Sequence, residues 1–91
     1  MISVAHTRQV TVTRVICGVD VASLSLAARI GQQGTAATFA NSPEGIAGLA
    51  AFCDAHAVEL VAMEATGGYE QRAFVQLSER GLPVAIPPVQ A

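Results

Sequence analysis

Residues 58–63, VELVAM, form a nearly unbroken apolar run of strand length between two segments that carry helix signals, and no other feature narrows the fold of this chain so far. A run of this kind suits a strand buried on both faces of a parallel sheet. Helices on either side supply the crossovers that parallel neighbours require. The run then meets a carboxylate, Glu64, and two glycines, Gly67 and Gly68. Glu64 is either the first solvated residue after a buried strand or half of a chemical pair.

The remaining elements fall on both sides of that run. Residues 1–13 mix polar and β-branched types and read as a loose N-terminal arm or an expression remnant ahead of a single domain over 14–91. From Val15, VICGVD is a short apolar run closed by an acid, LSLAARI (24–30) continues as a strand, and TAATFAN (35–41) supplies a third after the GQQG turn. Three short strands with tight connections predict an antiparallel meander. SPEG then opens a helix, with Ser42 as N-cap, Pro43 at the first helical position and Glu44 at the positive end of the dipole. Ile46, Leu49, Ala50 and Cys53 mark its buried stripe, and His56 closes or solvates its end. A second helix is predicted after the glycines, with Tyr69, Ala73, Phe74 and Leu77 on one buried face and Gly81 at its end. LPVAIPP gives a last short strand, stopped by two prolines. The order β-β-β-α-β-α-β predicts an α/β fold of ribonuclease-H-like type, a mixed five-stranded sheet with helices packed on it.

Composition sets bounds on function. Apolar residues make up 52% of the 91 and charged residues 13%, which excludes a disordered chain and leaves apolar surface to spare. The net charge is -2, and the five cations, all arginines, form no cluster, so this segment alone is expected to grip a phosphate backbone poorly. Cys17 and Cys53 lack zinc or redox spacing and read as two buried thiols of a reducing compartment. With no apolar signal core and no run long enough to span a bilayer, the expected location is the cytoplasm, without membrane association.

In such a sheet the strands beginning near Val15 and Val58 are parallel neighbours, so Asp20 and Glu64 emerge at one edge. Taken singly, each acid is what a solvated strand end carries. Together they repel unless a cation lies between them, and hard oxygen donors suit Mg²⁺ or Mn²⁺. Thr66, Gly67 and Gly68 then read as the approach for a phosphate, because glycine lets a ligand come close to the backbone. Tyr69 reads as a core contact and Glu70 as a surface acid favourable to the second helix's dipole.

The segments GVDVAS (18–23), FANSPEG (39–45), MEATGGYE (63–70) and IPPVQ (86–90) together resemble the N-terminal, RuvC-like domain of the DEDD-type transposases of bacterial insertion sequences, a family that includes the Piv-like DNA invertases. The resemblance runs from about Val15 to the C-terminus, and MEATGGYE is its most specific element. It implies a metal-dependent site of four acids, Asp-Glu-Asp-Asp, in which Asp20 matches the first and Glu64 the second. The other two, in a Lys-Thr-Asp-type segment, and a serine-bearing C-terminal domain are expected beyond Ala91, which makes this chain half of a catalytic domain. Two departures stand out. Ala22 and Ser23 occupy positions where the family has Ser-Lys, and Ile86, Pro87, Pro88, Val89 and Gln90 occupy its Val-Asn-Pro-x-Gln motif.

The resemblance further implies phosphodiester cleavage and strand transfer on DNA by the full-length parent and leaves a guide nucleic acid open as a further partner, while the apolar surface predicts association with further copies of the chain. The isolated chain is expected to be catalytically silent. Two other classes remain open on the residues alone. An actin-like ATPase or sugar kinase also begins with a Gly-x-Asp strand and a hairpin, although Ala22 interrupts the Gly, Ser or Thr that such a loop offers to phosphate. A non-enzymatic oligomerisation module would also suit the apolar composition.

Overall fold

The structure is a computed structural model that describes residues 14–31, 34–65 and 67–87. Its strands are β1 (Ile16–Val21), β2 (Ser25–Ile30), β3 (Thr35–Ala40), β4 (Leu60–Ala65) and β5 (Val84–Ala85); α1 (Pro43–Ala55) lies between β3 and β4, and α2 (Gln71–Glu79) between β4 and β5. They form one five-stranded sheet in the order β3-β2-β1-β4-β5. The β1–β2 and β2–β3 pairs are antiparallel, whereas β1–β4 and β4–β5 are parallel. The α/β class, the element order and the mixed five-stranded sheet are those expected from the sequence.

Strand alternation sorts side chains onto two unlike faces. Cys17, Val19, Val21, Leu26, Ala28, Val61 and Met63 point to one face, where Ile46, Leu49, Ala50 and Cys53 of α1 and Ala73 and Leu77 of α2 bury them. Each fully buried leucine there contributes about 1.5–3 kcal/mol relative to exposure. The opposite face carries Gly18, Asp20, Ala27, Ala36 and Glu64, all exposed. The expectation that VELVAM is buried on both faces therefore holds on one only. Val61 and Met63 are enclosed, while Leu60 and Ala62 on the other face are partly open, because both helices pack on the same side.

Local sequence explains where the helices start and stop. Ser42 takes extended geometry and its Oγ accepts from the Gly45 N–H at 3.1 Å, with Pro43 at the first helical position. At the other end the Ala57 N–H donates to Asp54 O and the Val58 N–H to Cys53 O, at 3.2 and 3.0 Å, closing α1 in a Schellman motif. This requires a left-handed residue, and Ala57 supplies it at φ 55°. His56 sits at the C-cap as expected, with its Nδ1 2.9 Å from Phe52 O. The same motif closes α2, where Gly81 adopts φ 88° and Leu82 N–H donates to Leu77 O at 3.1 Å.

Two aromatic placements differ from expectation. Tyr69 and Phe74 were expected on the buried face of the second helix, but Tyr69 precedes α2 in a turn and is 51% exposed, and Phe74 is also exposed. Helical periodicity assigned Tyr69 to a helix that starts only at Gln71. Leu24, expected within the second strand, lies in the β1–β2 turn and is 82% exposed.

Candidate functional site

Asp20 and Glu64 are direct Cα partners in the parallel register of β1 and β4. Neighbouring strands lie about 4.8 Å apart, and residues in parallel register project to the same side of the sheet. Both acids are exposed on the open face, near the carboxyl ends of their strands. Ligands of open α/β sheets gather at such ends. The two acids border a depression of about 560 Å³ on this face, floored by Gly18, Ala27, Ala36 and Ala62. The depression arises because small side chains carry the sheet surface there.

Neither acid forms an ion pair among the described residues, where the one ion pair joins Arg14 to Glu59 at 3.6 Å. Arg29 also borders the depression, and its guanidinium lies against Gly34 in the β2–β3 turn. Among the described residues no third His, Cys, Asp or Glu joins Asp20 and Glu64 in a metal-binding group. The donor set is thus two carboxylates with hard oxygens and no thiol or imidazole. It fits a cation of the Mg²⁺ type, which is commonly held by one or two carboxylates together with substrate phosphates and water.

Of the residues assigned to the phosphate approach, Thr66 lies outside the described residues. Gly67 and Gly68 lie in the turn that precedes α2, at φ 77° and 80°. Two successive left-handed residues explain the Gly-Gly step, since side chains rarely tolerate this conformation. A Cβ on Gly67 would come 2.9 Å from the Tyr69 ring, whereas one on Gly68 would meet nothing within 4 Å. Gly67 therefore seats the tyrosine, and Gly68 leaves bare backbone toward solvent. Glu70 is not the simple surface acid expected. It occupies the N-cap of α2 without a capping bond, and its Oε1 is buried without a hydrogen-bond partner among the described residues.

Sequence reasoning gave no role to Asn41. Its Nδ2 donates to Ala22 O at 2.9 Å and to Tyr69 O at 3.2 Å, which ties the turn leaving β1 to the turn leaving β4. Both acid-bearing strands thus empty into loops held by one side chain. Asn41 directly precedes the Ser42 N-cap, so its local context signals a helix start and nothing about contacts 19 and 28 residues away.

No family model and no curated protein matches this chain. Among solved structures, the chain is similar to Pelota from Archaeoglobus fulgidus, the subject of a crystal structure that reveals inter-domain structural plasticity. The likeness has a TM-score of 0.67 at 13% sequence identity and covers 97% of this chain and 31% of that one. The chain thus spans under a third of the Pelota chain, and at this identity the likeness speaks to the fold alone.

Proposed function

We propose that this chain is the N-terminal, carboxylate-bearing part of a DEDD-type insertion-sequence transposase or Piv-like DNA invertase, acting on DNA in the cytoplasm with Mg²⁺ or Mn²⁺. The observation that carries the reading is the register of Asp20 with Glu64 on adjacent parallel strands, exposed on one face and without an ion-pair partner among the described residues. A structural pair of acids would be expected to stand apart or to face an arginine. The four sequence segments named above add the family, and two of them contain these acids.

In this reading Asp20 and Glu64 would hold a divalent ion, which would supply Lewis-acid stabilisation of charge on a scissile phosphate. The chain's own contribution is placement. The β1–β4 hydrogen bonds fix the spacing of the carboxylates, Asn41 holds the loops beyond them, and Gly68 leaves clearance for the sugar-phosphate backbone. Two carboxylates are a weak hold on Mg²⁺ without substrate oxygens, so the segment alone is catalytically silent on DNA and the remaining acids would come from elsewhere in the parent. Further copies of the chain would associate through exposed apolar residues such as Phe74, Val75 and Ile86.

Mn²⁺ titration of the 91-residue chain followed by amide NMR tests the reading. Paramagnetic broadening centred on Asp20 and Glu64, and lost in Asp20→Asn, supports it. Broadening spread evenly over the surface acids, or saturable ATP binding by calorimetry, overturns it, the latter in favour of an actin-like ATPase.

A further inference from the structure

A second, smaller pocket of about 220 Å³ lies at the carboxyl end of the sheet, lined by Ser23, Asn41, Gly68, Tyr69 and Arg72. We propose that it seats a phosphodiester group of a single nucleic-acid strand, adjacent to the phosphate that the two carboxylates address; the inference rests on the carboxylate reading above and extends it to the path of the strand. Ser23 follows Asp20 by three residues and Gly68 follows Glu64 by four, so the chain keeps the pocket within about 11 and 14 Å of the acids, at roughly 3.6 Å per residue.

Its chemistry complements that of the acids. Arg72 is exposed on the first turn of α2 and pairs with no carboxylate among the described residues. A guanidinium beside a hydroxyl and bare glycine backbone is a donor set for an anionic oxygen, and arginine presents its donors in the fork that phosphate geometry matches. Glu70, the acid nearest in sequence, does not line the pocket and buries one carboxylate oxygen instead. The volume is below the ~300–1,000 Å³ of sites that enclose whole small molecules, which favours one group of a larger ligand.

The walls are held in place. Asn41 spends both Nδ2 hydrogens on Ala22 O and Tyr69 O, so the two loops forming the pocket are fixed relative to each other. The Tyr69 ring rests on Gly67 and is 51% exposed, presenting aromatic surface on which a base can stack. A strand lying here therefore meets a ring for a base and an arginine for a phosphate, while the carboxylates, with a cation bound, would take the neighbouring phosphate.

The test is amide NMR titration of the 91-residue chain, with Mg²⁺ present, using a short oligothymidylate in one arm and inorganic phosphate in the other. Saturable shifts at Ser23, Asn41, Gly68 and Arg72 are expected in both arms, with the oligothymidylate binding more tightly. Arg72→Ala should weaken both ligands by about fivefold or more, as loss of a charge-assisted contact does, and Arg72→Lys should recover part of this. Tyr69→Ala should weaken the oligothymidylate alone. Binding by Arg72→Ala equal to the parent's, or shifts confined to other surfaces, overturns the pocket. A phosphate response with no oligothymidylate response assigns it to free anions and overturns the strand path. Mg²⁺ titration without ligand reads the carboxylates separately: unmoved Asp20 and Glu64 amides defeat that site, while the pocket stands or falls on Arg72.

Discussion

Asp20 and Glu64 share one register position across β1 and β4, and both side chains are exposed. Exposure separates their chemistry from the stability of the fold, because neither side chain is packed in the core. Asp20→Asn and Glu64→Gln should each leave the urea midpoint within the ~0.5 kcal/mol typical of surface changes. Mn²⁺ affinity measured by calorimetry should nevertheless fall by at least the roughly 10–100-fold that losses in the outer shell of a metal site cost. Equal Mn²⁺ affinity in parent and both variants would remove the carboxylates from any metal site.

The two helix ends offer a matched pair. Ala57 and Gly81 occupy the same left-handed position of the same motif, at φ 55° and 88°, but only Ala57 carries a Cβ there. The left-handed region costs an L-residue roughly 1–2 kcal/mol. Ala57→Gly should therefore raise stability by about 1 kcal/mol and Gly81→Ala lower it by about as much, read as opposite shifts of the urea midpoint. Shifts of the same sign would show that contacts around these residues, not backbone geometry, dominate.

This pair also shows what the sequence could reveal. Gly81 and Ser42 mark helix ends because their chemistry is local, and both do what their residue types imply. Ala57 carries no such mark, since the hydrogen-bonded closure of α1 imposes a conformation its side chain disfavours. The register of Asp20 with Glu64 was legible because apolar runs of similar length, each closed by an acid, align when their strands are parallel. Asn41 and the exposed Tyr69 were not legible. Hydrogen bonds spanning 19 and 28 residues leave no periodic trace, and helical spacing extended over Tyr69 assigned it to a helix that had not begun.

The approach of α1 to β3 depends on glycine in two graded ways. A Cβ on Gly45 would come 2.8 Å from Ala40 N and closer still to the Ala40 carbonyl, which is backbone that cannot swing aside. At Gly48 the nearest atom is in the Phe39 ring at 3.1 Å, and that ring packs on Phe52 at a centroid distance of 5.6 Å. Gly45→Ala should lose stability toward the upper end of the about 1–3 kcal/mol range for overpacking. Gly48→Ala should come out near neutral, because about 1 kcal/mol of helix propensity offsets a ring displaced by a few tenths of an ångström. Thermal melts of the two variants check the order, and a larger loss at Gly48 would contradict the packing described.

Alkaline pH should reveal the buried Cys53 thiol. The neighbouring Cys17 thiol, and then burial, push the Cys53 thiol well above its ordinary value of 9.0. Both cysteines are fully buried, so a thiolate at Cys53 would lose its water and meet no cation in the core. The folded state therefore keeps its proton where the unfolded chain has released it. The sign follows from proton counting: this contribution to stability is complete below pH 9.0 and is lost as pH rises beyond it. Urea midpoints measured from pH 7 to 10.5 should be level at first and then decline. Cys53→Ala lowers stability throughout by opening a small cavity, but its curve should decline less steeply above the thiol range. The comparison rests on slopes and not on absolute stability, so a variant curve parallel to the parent's would assign the alkaline loss to other groups.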